Sequence, residues 1–174
     1  MNKWKKIGAL AMACAMCAGV SMQAFATEKS TDFTFEYKND PTYTVSIPDS
    51  VTLTKDGTDM SITAEDVANL DGQKISVTIA ATSGYDDQMV LEGRTSTGGQ
   101  ASLRYQFVMA DGSIIETNAG KDIVAVGKEV ASFTEDGTET FTVKPILTGS
   151  SSIKKGVTYT GSMTYAIELV DIAE

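Results

Sequence analysis

The sequence predicts an all-β domain, an antiparallel Ig-like β-sandwich with at most one short helix. Three observations lead there. Apolar and polar residues alternate with a period of two along most of the chain beyond residue 32, which is the pattern of half-buried strands. Four Asp-Gly pairs, Asp56-Gly57, Asp71-Gly72, Asp111-Gly112 and Asp136-Gly137, punctuate that alternation where hairpin turns are needed. No strand–helix–strand rhythm accompanies them, so a parallel α/β fold is disfavoured and a barrel is the competing architecture.

The first element is a leader and not a strand. Lys3, Lys5 and Lys6 precede an apolar run over 7–20, and Ala24-Phe25-Ala26 closes it with small residues at both ends. This is the layout of a secretory signal peptide over 1–26, with cleavage after Ala26. Neither Cys14 nor Cys17 has the Leu three residues upstream that lipoprotein processing favours. Cleavage removes Trp4 and both cysteines. Taking 26 residues from 174 leaves 148, the size of one domain over 27–174. A chain of that length hides roughly 68–70% of its unfolded surface, enough for a core without metal or disulfide support.

The expected strands follow in order. Phe33, Phe35 and Tyr37 alternate with Thr34 and Glu36; Tyr43, Val45 and Ile47 repeat the pattern up to Pro48, and Val51 and Leu53 resume it. Further strands are expected at 60–62, 74–80, 89–91, 103–109, 113–116, 123–126, 130–133 and 138–143. Pro145 marks an edge or bulge, because proline cannot donate to a ladder. Residues 149–152 read as a loop, and Lys154-Lys155-Gly156 as a turn into the last strand. There Val157, Tyr159, Met163, Tyr165, Ile167 and Leu169 share a face expected to be buried, with Gly161 marking a bulge or bend. Only 63–70 reads as helical, with Thr63 as N-cap and Glu65 and Asp66 in the first turn. In the Asp111-Gly112 and Asp136-Gly137 turns, positive φ is expected at both central residues.

Charge and composition narrow the chemistry. Losing three lysines from 14 basic residues leaves 11 against 23 acidic ones, a formal balance of −12. Nucleic acid and anionic membrane surfaces both select clustered Lys and Arg, so neither is an expected partner. No second apolar run reaches the ~18 residues of a membrane helix, and no membrane insertion is expected after leader removal. The chain has no His, which excludes autonomous Ser-His-Asp and Cys-His nucleophilic mechanisms and makes zinc improbable. The acidic pairs Glu65-Asp66, Asp86-Asp87 and Glu135-Asp136 are neighbours that strand geometry points to opposite faces, against a two-carboxylate hydrolase. No enzymatic activity is expected. The weak candidates for a site are Asp56, Asp59, Glu65 and Asp66 as calcium ligands, and Tyr85 in Ser83-Gly84-Tyr85-Asp86-Asp87 as a loop-borne stacking residue. The other aromatics fit core positions in alternating runs.

The terminal run Gly156-Val157-Thr158-Tyr159-Thr160-Gly161-Ser162-Met163-Thr164-Tyr165-Ala166-Ile167 resembles the closing strand of the WxL family of exported bacterial β-sandwich proteins. Tyr165-Ala166-Ile167 stands where that family carries Trp-x-Leu. The ending is also similar to that of pilus subunits. The resemblance implies a secreted or cell-surface protein with a structural or adhesive role, whose partner is a cell-wall polymer, a glycan or another surface protein. A carbohydrate-binding module and a pilus-like or matrix-forming polymer subunit are the alternatives.

Overall fold

In the computed structural model the described residues are 32–35, 39–117, 125–147 and 153–172. The chain divides into two units, Met1–Glu36 and Tyr37–Glu174. The first is described only at 32–35, where no strand forms and Phe33 and Phe35 are 92% and 88% exposed. The core role expected for these two phenylalanines is therefore wrong. Tyr37, the segment 1–26 expected as a leader, residues 123 and 124 of an expected strand, and residues 149–152, expected as a loop, lie outside the described residues.

The second unit carries nine strands among its described residues: β1 (Thr42–Ser46), β2 (Thr58–Ala68), β3 (Gln73–Thr82), β4 (Val90–Arg94), β5 (Gln100–Val108), β6 (Ile114–Ile115), β7 (Glu129–Phe133), β8 (Gly137–Pro145) and β9 (Met163–Asp171). They form two sheets in which all pairings are antiparallel. The larger runs β1-β2-β8-β5-β4, with β6 also on β5; the smaller runs β7-β3-β9. Alternation supplies one inner face per strand: Met60, Ile62 and Ala64 from β2, Phe141 and Val143 from β8, Tyr105 and Phe107 from β5. Ile75, Val77 and Ile79 of β3 and Val130 and Phe133 of β7 meet them from the small sheet. The predicted antiparallel sandwich is present, and among the described residues its two sheets stay open at their outer strands, unlike a closed barrel.

Segment 63–70 is strand and not helix through Ala68. Ser61 and Thr63 place their hydroxyls 2.8 and 3.0 Å from those of Thr140 and Thr138 on β8, while Ile62 and Ala64 face the core. A helix here would bury neither alternating set correctly. Left-handed Asp66 (φ 57°) and Asn69 (φ 59°) break any helical path, and the Val67 amide donates to Asp136 Oδ1 at 2.8 Å. Asp136 thus pins the end of β2. Gly137 begins β8 without positive φ, against expectation.

The remaining Asp-Gly pairs do turn the chain. Asp71 (φ 49°) and Gly72 (φ 87°) form the tight turn that Gln73 closes by donating its amide to the Leu70 carbonyl at 2.9 Å. It carries the chain from the large sheet to the small one. Between β5 and β6, Gly112 donates to Met109 at 2.9 Å with φ 83°, but Asp111 keeps negative φ. That is a three-residue hairpin with one left-handed glycine, not the two-residue form expected.

Two expected strands are irregular. Val51 and Leu53 pack half-buried against the core from a loop, and Val126 lies in a turn. The last strand starts only at Met163, because 157–162 first crosses from β4 to the small sheet. A Cβ on Gly93 would meet Val157 Cγ1 at 2.5 Å and the Thr158 carbonyl at 2.6 Å, so glycine permits that crossing. Ile167, expected on the buried face, is 39% exposed.

Candidate functional site

Five strands back the large sheet on its main path and only three form the small one. Among the described residues, part of the large inner face has no strand above it. A groove of ≈ 600 Å³ lies there, floored by Met60, Leu91, Leu103, Tyr105, Phe107 and Val143. One wall is the loop 48–53; the other is the crossing segment 158–162 with Met163 and Tyr165 of β9. The wall is fixed by paired amides: Glu92 and Thr160 exchange backbone hydrogen bonds of 2.8 Å each, and Ser83 donates to the Ser162 carbonyl at 2.9 Å. Among the described residues β9 pairs with β3 alone, so its second edge is unpaired over nine residues.

The groove lining is apolar and neutral apart from Asp49, its only ionisable carboxylate. Burial pushes the Tyr105 phenol up to about 12; burial first, and then the neighbouring Tyr105, push Tyr165 up to about 12. Both phenols stay protonated at neutral pH. The Tyr165 hydroxyl reaches Met60 Sδ at 3.8 Å across the two sheets. Such a lining offers apolar contact and neutral hydrogen bonds.

A separate polar hollow of ≈ 570 Å³ is bordered by Glu92, Arg94, Gln100, Ser102, Thr158 and Thr160. A third polar group joins β3 to β7: Ser76 Oγ donates to Glu129 Oε2 at 2.5 Å, and Lys74 Nζ donates to both Glu129 oxygens at 2.9 Å. Burial works to raise the Glu129 pKa, but hydrogen bonds from Ser76 and Lys74, the Lys74 charge and Ser132 outweigh it and hold it low. That cluster fastens two strands.

The residues singled out from sequence are scattered. Asp56 sits in the turn before β2, Asp59 accepts a 2.7 Å hydrogen bond from Thr142, and Glu65 and Asp66 lie toward the far end of the same strand. Six residues of strand separate Asp59 from Glu65 by about 20 Å, so the four do not meet. Among the described residues no group of three or more His, Cys, Asp or Glu side chains is placed to hold a metal ion. Tyr85 is 74% exposed in a short 3-10 turn, Tyr85–Asp87, and does not border the groove. The groove was missed because its walls come from residues over a hundred positions apart; the one local signal was the half-apolar run 47–53 broken by Pro48.

Comparison with protein-family profiles, with curated proteins and with solved structures gives no match. Among the described residues no helix is long and apolar enough to cross a membrane.

Proposed function

We propose that the chain is an exported, non-enzymatic β-sandwich of the cell surface or extracellular matrix, with a structural or adhesive role exercised through an extended polymer held in the groove. The observation that carries this reading is the pairing of an apolar floor with the unpaired edge of β9. An exposed strand edge binds extended chains by main-chain hydrogen bonds, and the pockets beside it select alternate side chains. Asp49 is the one carboxylate bordering the groove, and the buried phenols of Tyr105 and Tyr165 are held protonated, a lining suited to contact rather than to proton transfer. The leader, the acidic balance and the WxL-like ending support a surface location, with a cell-wall polymer, a glycan or another surface protein as partner.

Fractionation of producing cells tests the reading. The chain is expected in the wall or medium fraction with Thr27 at its N-terminus, and the purified protein is expected to pellet with wall material without shortening it. Retention inside the cell with the leader intact, or release of soluble fragments from the wall polymer, would contradict it.

A further inference from the structure

We infer that the outward face of β4, β5 and β8 is a second binding surface, which takes an anionic, hydroxyl-bearing polymer whose charge is carried by phosphate or carboxylate groups. This rests on the surface reading above and names the chemistry of its partner. The chain is acidic, with 23 Asp and Glu against 14 Lys and Arg, yet its two arginines fall on this one face. Register places Glu92 opposite Ser102, Arg94 opposite Gln100 and Arg104 opposite Val90, with Lys144 of β8 opposite Gln106 of β5. Leu91, Leu103, Tyr105 and Val143 hold the alternate positions and line the groove, so these polar residues turn away from it. On the three strands this face carries three cations and one carboxylate.

The arginines are not used by the fold. Lys74 is neutralised by Glu129 at 2.9 Å, whereas Arg94 and Arg104 form no ion pair among the described residues. Arg94 is exposed; Arg104 is half-buried, with its Nε buried and without a hydrogen-bond partner. A guanidinium left unpaired in partial burial is costly, and an anionic oxygen at its Nη groups offsets that cost through a charge-assisted fork. Four residues of strand place the two arginines about 13 Å apart, and Glu92 and Ser102 lie between them in register. Their oxygens suit hydroxyl groups, and the Glu92 charge repels a continuous polyanion while leaving room for spaced anions on a polyol or sugar chain. Glu92, Arg94, Gln100 and Ser102 also border the polar hollow, whose wall at Thr160 is fixed by its backbone pair with Glu92.

Titration calorimetry of the protein purified from producing cells tests this with poly(glycerol phosphate), polygalacturonate and neutral dextran. At least one anionic polymer should bind, the two telling phosphate from carboxylate, and dextran should not. Arg94→Gln and Arg104→Gln should each weaken that binding about tenfold or more. Arg94 is exposed, so its variant should keep the melting temperature, and Arg94→Lys, which retains the charge but loses the fork, should fall between. Exposed Lys128, just before β7, serves as the control; Lys128→Gln removes the same charge elsewhere and should change binding less than about twofold in physiological salt. Equal losses from Lys128→Gln and Arg94→Gln, dextran binding as tight as that of the anionic polymers, or no binding of either anionic polymer would overturn the inference. If neither polymer binds while the protein still pellets with wall material, this inference falls and the surface reading stands.

Discussion

Tyr105 and Tyr165 line the groove from different sheets, and burial holds each phenol at about 12 against an ordinary value of 10.0. A raised phenol favours the fold fully below about pH 10, and that contribution is lost as pH rises through 12. Alkaline titration of tyrosinate absorbance should therefore show two of the six tyrosines ionising late, together with loss of near-UV circular dichroism. Ionisation of all six before any loss of structure would contradict the burial of this pair. The glycines offer a second test at this scale. Gly112 has φ +83° and open space around its Cβ position, so Gly112→Ala should cost about 1–2 kcal/mol from backbone strain alone. Gly137 lies outside the positive-φ set and its nearest neighbour is 3.8 Å away, so Gly137→Ala should stay within about 0.5 kcal/mol by denaturant melting. Both residues follow Asp, and the dipeptide does not distinguish them in sequence. Asp136 instead gives its carboxylate to the Val67 amide, 69 residues away, and a contact at that separation leaves no local trace.

Strand β2 shows what alternation reveals and what it hides. Met60 and Ile62 were legible as strand, while Glu65 and Asp66 imitated a helix start and cut the element short. The hydroxyl pairs to β8 and the left-handed Asp66 decide otherwise, because tertiary pairing outweighs a weak local preference. Ile62 has no exposed surface, and Ile62→Ala should destabilise by about 3 kcal/mol, as buried aliphatic truncations do. A cost below about 1 kcal/mol would mean that β2 does not turn this face inward. At the crossing of β4, Gly93→Ala should cost about 1–3 kcal/mol through overpacking against Val157 and Thr158. The same variant should loosen the groove wall, read as faster proteolysis within 157–162. Neutral behaviour would show that this segment does not lie against β4. The final strand was legible as an alternating run, but its first six residues serve as a bridge. Gly161 gave the hint, since a Cβ there would meet Leu91 Cδ2 at 2.9 Å.

For the whole molecule, the fold class was readable because a sandwich repeats one rule, apolar in and polar out, strand after strand. The groove was not, since it is created by a difference in strand number between two sheets and no single segment encodes that. Phe33 and Phe35 carry the same alternating pattern as the core strands yet stand exposed in the structure, so a pattern shared with the core is unused by the fold itself. The account's central claim is a groove beside a strand, β9, whose second edge has no partner among the described residues. Amide hydrogen exchange of β9 tests it most directly. Amides within 163–171 that point away from β3 should exchange about 100-fold or more faster than those that point toward it, as an edge strand paired on one side requires. Equal protection of the two sets would contradict the account.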